Sequence, residues 1–184
     1  TTLFRSNITP PVLQPKDGLC LINHSGLTVA LAAEALSGAK TVLDMIKHST
    51  VLSFEGYGAN RGIFDSKLNQ LRKAPGQEAC ANWFQEALEG AENNPRRVQE
   101  ALSFRTAAAV TGAADEALKR AITTWEDEVN GSSDSPVISD DGMASTINFH
   151  TPALALALET LSLSFAGLAY ASLQQIGRAS CRER

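Results

Sequence analysis

The residues of this chain that could do chemistry are polar side chains set among apolar ones. Asn23 lies in Leu21-Ile22-Asn23-His24-Ser25-Gly26, at the head of an apolar helical run. A buried amide must find partners, so Asn23 is either a helix cap or an amide that binds a ligand. A second group is Val98-Gln99-Glu100-Ala101-Leu102-Ser103-Phe104-Arg105. The planar fork of Arg105 suits a carboxylate, yet it sits in a charge-poor run before Ala107-Ala108-Ala109. Its two readings are an internal salt bridge to a glutamate and a clamp for a ligand carboxylate. Gln99 and Arg105 are six positions apart, far around an unbroken helix. They can serve one ligand only if the backbone bends or unwinds between them. The third group is Asn148-Phe149-His150, just before a long apolar helix. By type alone Phe149 is ordinarily core and His150 a cap. His24, His48 and His150 do not have metal-ligand spacing, so no metal site is expected. No Gly-x-Ser-x-Gly elbow or glycine-rich phosphate loop is present.

The elements that must position these residues read as helices. Pro10-Pro11 and Pro15 keep residues 1–18 irregular. Leu19 to about Ser53 favours helix, with Gly26 and Gly38 as weak points. Its apolar residues occupy nearly every face, which predicts burial on all sides. Gly56 to Gly62 reads as a loop and Phe64 to Leu71 as a short helix. Pro75-Gly76 interrupts, Gln77 to Glu92 resumes helix, and Asn93-Asn94-Pro95 breaks it. One long helix is expected from about Val98 to Val129, with Ala101, Phe104, Ala108, Val110, Ala114, Leu118 and Ile122 on its core face. Asn130 to Gly142 is a loop, with at most a short extended piece at Pro136-Val137-Ile138. Pro152 starts a last helix that runs to about Gln175. The expectation is an all-α bundle of long helices.

The chain has 184 residues, 43% of them hydrophobic and 20% charged, so it can form a core. A net charge of −4 gives no basic excess for nucleic acid. Cys20, Cys80 and Cys181 are widely spaced and odd in number, which fits reduced thiols and a cytoplasmic protein. Thr151 to Gln175 carries only Glu159, a length that nearly spans a bilayer. Its serines, threonines and glutamines favour a helix buried in a bundle, so no membrane partner is expected.

Taken in order, several motifs resemble the aromatic amino acid ammonia-lyases. Pro15-Lys16-Asp17-Gly18-Leu19 with Leu21-Ile22-Asn23 is similar to that family's Pro-Lys-Glu-Gly-Leu…Leu-Asn-Gly-Thr. Phe64-Asp65 and Pro75-Gly76-Gln77 resemble its Phe-Asp…Pro-Gly-Gln. Val98 to Arg105 resembles Val-Gln-Asp-Pro-Tyr-Ser-Leu-Arg, and Val110-x-Gly112-Ala113 continues it. Glu128-Val129-Asn130 with Ser133-Asp134-Ser135-Pro136 is similar to Glu-x-Asn…Ser-Asp-Asn-Pro, and Asn148-Phe149-His150 to Gly-Gly-Asn-Phe-His. The resemblance implies the central part of an ammonia-lyase/fumarase-like fold, a cytoplasmic homotetramer, and an amino acid as the small-molecule partner. It implies elimination of ammonia from an aromatic L-amino acid through methylidene-imidazolone (MIO), an electrophile made from an internal Ala-Ser-Gly. Asn23 would bond near that group and the leaving amine, and Gln99 would bond the group or the substrate. Phe149 would pack against both, and Arg105 would clamp the substrate carboxylate. Leu102 stands where the family has a Tyr beside the substrate, and Ser135 where it has a site-lining Asn.

The Ala-Ser-Gly and the tyrosine base that the family uses are not among these residues; Leu36-Ser37-Gly38 follows Asn23 and falls in a helix. With Thr1 in place of a methionine, residues 1–175 read as an internal, partial ammonia-lyase domain that is inactive alone. Ile176 to Arg184 reads as a non-native, adaptor-derived tail. Three alternatives stand beside the lyase. One is an aminomutase of the same family. Another is a helical binding or structural protein with a decayed site. The last is a fumarase/argininosuccinate lyase relative, on Gly131-Ser132-Ser133-Asp134-Ser135-Pro136, although Ile138 stands where that superfamily needs Lys.

Overall fold

The computed structural model describes residues 9–93, 95 and 97–182, the last four by their backbone alone. The first eight residues of the expected lead-in, Asn94 of the Asn93-Asn94-Pro95 break and the end of the tail lie outside it. The helices are α1 (Asp17–Ile22), α2 (Gly26–Tyr57), α3 (Ser66–Gln70), α4 (Pro75–Ala87), α5 (Leu102–Arg105), α6 (Ala107–Asn130) and α7 (Pro152–Arg182). A 3₁₀ turn at Arg61–Phe64 precedes α3, and β1 (Val137–Ser139) and β2 (Gly142–Ala144) form one antiparallel hairpin. The all-α expectation holds apart from this hairpin.

Several boundaries differ from the sequence reading, each for a local reason. The helix expected from Leu19 breaks at Asn23-His24-Ser25, where His24 bridges to Asp134 and its Nδ1 accepts the Gly26 N–H at 2.8 Å. The α2 helix then runs past Ser53 to Tyr57 and ends on Gly58. Gly58 has φ 66°, and its N–H reaches back to the Glu55 and Phe54 carbonyls, the left-handed stop that glycine makes at low cost. Asp65 caps α3 by accepting the Leu68 N–H at 3.1 Å. Pro75 does not break α4 but opens it, as the first helical residue. The helix expected over Val98–Val129 is interrupted twice, by extended backbone at Ala101 (φ −56°, ψ 148°) and by Thr106 (φ −90°, ψ 0°). Nothing in Ile176–Arg178 stops a helix, so α7 passes Gln175 and continues to Arg182.

Two clusters make the core. In the first, Phe54, Phe64, Phe84 and Phe104 converge from α2, the 3₁₀ turn, α4 and α5, with ring centroids 4.8–5.2 Å apart in successive pairs. Such ring pairs add about 0.5–1.5 kcal/mol beyond the area they bury. In the second, Leu36 and Leu43 of α2, Ala114, Leu118 and Ala121 of α6, and Leu161 and Leu168 of α7 pack together. The α7 contribution is a stripe at every seventh residue: Leu154, Leu161, Leu168 and Gln175 are all buried. α4 and α6 touch backbone to backbone at Gly76 and Gly112. A Cβ on Gly112 would lie 2.4 Å from the Gly76 carbonyl carbon and oxygen.

Burial of α2 on all sides does not occur among the described residues. Its second face leaves Leu27, Leu31, Met45 and Leu52 exposed, because the elements packed on it, chiefly α6 and α7, cover one side only. The same holds for Leu156, Leu163, Tyr170 and Leu173 on α7. Residues 152–178 are also long and apolar enough to cross a membrane by length and composition, with an 18-residue window of mean hydropathy 1.5.

Candidate functional site

Asn23 is the C-terminal cap of α1 and is half-buried. Its Nδ2 donates to the Ser135 carbonyl at 3.2 Å. Two residues proposed from separate motifs therefore meet across 112 positions. Ser135 is buried, and its hydroxyl is committed to the loop after the hairpin. Its Oγ donates to the Thr146 carbonyl at 2.7 Å and accepts the Thr146 N–H at 3.3 Å. Thr146 Oγ1 in turn donates to the Asp134 carbonyl at 2.9 Å. The Ser135–Pro136 peptide is cis.

Around this junction lies a charged cluster to which the sequence reading gave no role. The Asp134 carboxylate accepts from Lys16 Nζ, from the Cys20 thiol at 3.2 Å and from the Ser135 N–H at 2.8 Å. The hydrogen bond from Lys16, then that from Cys20, holds the Asp134 carboxyl below the usual carboxylate value and outweighs what burial adds. The same bond to Asp134 raises the Lys16 ammonium against the opposing effect of burial. Both residues stood inside quoted motifs, and their opposite charges were the only signal available in the sequence.

Gln99 lies outside any helix, in a bend at Val98-Gln99. Its neighbours are held by Asn60, whose N–H donates to Glu100 Oε1 at 3.3 Å and whose Nδ2 donates to the Val98 carbonyl at 3.4 Å. The bend and the extended Ala101 meet the condition set above for Gln99 and Arg105 to serve one ligand. Arg105 is exposed and forms no ion pair among the described residues. The internal salt bridge to a glutamate is therefore not made. Phe104, in the aromatic cluster, and Gln175, whose Nε2 donates to the Ser103 carbonyl at 3.1 Å, fix α5 beneath Arg105.

Leu102 is exposed and lines a groove of about 380 Å³ between α5, α6 and α7, with Ser103, Thr106, Val110, Tyr170 and Gln174. The Ser103 hydroxyl is buried without a hydrogen-bond partner among the described residues. Phe149 is exposed rather than core, as is His150. The chain thus brings Asn23 and Ser135 together and joins Gln99, Leu102 and Arg105 on one short segment. Among the described residues, no hydrogen bond, ion pair or ring pair joins these two groups to each other or to Phe149. Among the described residues, no three His, Cys, Asp or Glu side chains are grouped to hold a metal ion.

On the Gln99–Arg105 segment, the side-chain donors without a hydrogen bond among the described residues are the Gln99 carboxamide, the Arg105 guanidinium and the Ser103 hydroxyl. That set suits a ligand rich in carbonyl and carboxylate oxygen.

Comparison with known proteins gives a consistent result. The profile of the aromatic amino acid lyase family matches residues 1–183. The histidine ammonia-lyase of Chloroflexus aurantiacus (strain J-10-fl) is 33% identical over 177 residues, 91% of this chain and 34% of that protein. Histidine ammonia-lyase from Trypanosoma cruzi superposes with a TM-score of 0.87 at 26% identity, covering 96% of this chain and 34% of that one. Phenylalanine ammonia-lyase from Rhodosporidium toruloides gives 0.87 at 26%, covering 95% and 27%. The chain spans about a third of the length of the curated relatives it matches.

Proposed function

The chain belongs to the aromatic amino acid lyase family, and on that premise we propose that it forms the middle of an ammonia-lyase acting on an aromatic L-amino acid of histidine, phenylalanine or tyrosine type. The observation that carries this reading is the break at Ala101. It frees Gln99 and an unpaired Arg105 to face one ligand from one short segment. The product is an α,β-unsaturated acid and ammonia.

The β-hydrogen of such a substrate is a weak acid, so its removal needs an electron sink and a positioned base. The MIO group of the family would supply that sink, and the amide donors of Asn23 and Gln99 are of the right chemistry to bond its carbonyl oxygen. Arg105 binds the substrate carboxylate as a bidentate pair. Phe149 packs on the ring, Leu102 gives it an apolar wall, and Ser135 lines the site through its backbone carbonyl. Its hydroxyl is already bonded to Thr146. The family's Ala-Ser-Gly and tyrosine base do not occur among these 184 residues, so the chain alone is expected to release no ammonia.

The test uses a full-length protein containing this chain. Ammonia release from histidine, phenylalanine or tyrosine, with the near-ultraviolet absorbance of the electrophile, is the expected result. A β-amino acid product would indicate an aminomutase instead. Arg105→Ala should raise KM about ten- to a hundredfold, the loss of a charge-assisted pair. Asn23→Ala should lower kcat by about a hundredfold, as removal of one preorganised donor does. No ammonia and no rearranged product from any of the three substrates would overturn the reading.

A further inference from the structure

We propose that Asp134, paired with Lys16, is a positioning residue that holds Asn23 in its working place; its catalytic meaning rests on the lyase reading above, while the positioning itself does not. α1 has no core of its own. None of its six residues is buried, and an isolated helix of this length is unstable in water. No apolar packing therefore fixes where Asn23, its C-terminal cap, will sit. The side-chain ties that leave residues 9–25 for the rest of the described molecule are polar and converge on one dipeptide. Lys16 Nζ and Cys20 Sγ bond to the Asp134 carboxylate. Asn23 Nδ2 bonds to the Ser135 carbonyl. The backbone of His24 pairs with that of Asp134.

The other side of the clamp is firm. The Ser135 hydroxyl and Thr146 lock residues 134–135 to the strand exit through three hydrogen bonds of 2.7–3.3 Å. Asp134 also accepts its neighbour's N–H at 2.8 Å, which aims its second oxygen away from Ser135 and toward α1. Lys16 sits at the N-terminal cap of α1 with φ 82°, and Asn23 sits at the other end. The ion pair grips one end of the helix, the amide rests on the platform at the other, and Cys20 bonds between them. Remove the carboxylate, and Asn23 keeps a single side-chain bond to a carbonyl while its helix loses the two that orient it.

Two readouts test this. In a full-length protein containing this chain, Asp134→Asn and Lys16→Met should raise amide hydrogen exchange at residues 19–25 at least tenfold, with the midpoint of thermal unfolding unchanged within a degree or two. Lys119→Met, which removes an exposed ion pair to Asp115 elsewhere, should leave that segment as it was. In the full-length enzyme, the same Asp134 and Lys16 variants should lower kcat about tenfold with KM nearly constant, because a misplaced group that acts on the departing amine costs rate rather than substrate affinity. Asp134→Glu, which keeps a carboxylate acceptor, should by contrast retain most of the rate that Asp134→Asn loses. Unchanged exchange at residues 19–25 in Asp134→Asn overturns the proposal whether or not the enzyme is active. A faster-exchanging segment with kcat unaltered overturns its catalytic part. Absence of any lyase or mutase activity in the unmodified full-length protein defeats the functional reading and leaves the exchange result to decide the positioning.

Discussion

Asp115 shows how a half-buried carboxylate stays ionised. Burial alone would raise its pKa, but Lys119 at 2.6 Å and Lys47 at 3.2 Å donate to its two oxygens and bring it below the ordinary 3.8. A carboxyl lowered by folding stabilises the native state above its unfolded pKa. It loses that contribution as pH falls through the folded value. Stability should therefore be level from pH 7 to about 5 and decline below about 4. Asp115→Asn should flatten part of that decline at a cost of roughly 1 kcal/mol at neutral pH. Urea midpoints of both proteins between pH 3 and 7 check this, and parallel curves would remove Asp115 from the account. Cys80, buried near this group, has its thiol pushed up to about 11 by burial, which keeps it protonated and packed as a small apolar side chain.

Among the elements, the crossing of α4 and α6 is the tightest. Gly76 and Gly112 let the two backbones touch, and Glu116 Oε1 then accepts the Gly76 N–H at 2.9 Å. Gly112→Ala would gain helix propensity on α6 but drive a Cβ into a peptide group that cannot yield. The steric term wins. A net loss of about 1–3 kcal/mol is expected, read as a lower unfolding midpoint, and a neutral or stabilising result would disprove the close packing. This crossing was legible beforehand only as two motif fragments, Pro75-Gly76-Gln77 and Val110-x-Gly112-Ala113. Sequence reasoning placed the starts of α4 and α7 within two residues, because Pro75 and Pro152 mark them by local chemistry. It also found the core face of α6. It missed the breaks at Ala101 and Thr106, since neither is glycine or proline. Those breaks are imposed from outside, by Asn60 on Val98 and Glu100, by Phe104 in the aromatic cluster, and by Gln175 on Ser103. Asn23 and Ser135 could be named separately, but their meeting could not. The Lys16–Asp134 pair spans 118 positions and leaves no periodic trace.

The molecule carries two apolar faces that none of the described residues covers. On α7 the buried stripe Leu154-Leu161-Leu168 is matched by an exposed one, Leu156-Leu163-Tyr170, with the same spacing of seven. On α2, Leu31, Met45 and Leu52 do likewise. Leaving such side chains in water forgoes about 1.5–3 kcal/mol each, and contiguous patches of this kind mark contact surfaces. The chain in isolation is accordingly expected to self-associate or to unfold at modest temperature. Sedimentation and light scattering would show this, and a monodisperse monomer stable at high concentration would refute it.

The meeting of Asn23 with Ser135 also sets an order of events in time. Closing a loop of 112 residues costs chain entropy before one amide bond can offset it. The bundle of α2, α6 and α7 closes loops as long, but it offsets their cost with buried apolar surface rather than with one amide bond, so it is expected to form first and bring the two ends within reach. Folding thus makes the body of the protein before it joins Asn23 to Ser135. On the way out the sequence is expected to reverse: α1 peels away first, and that junction is lost while the core still stands.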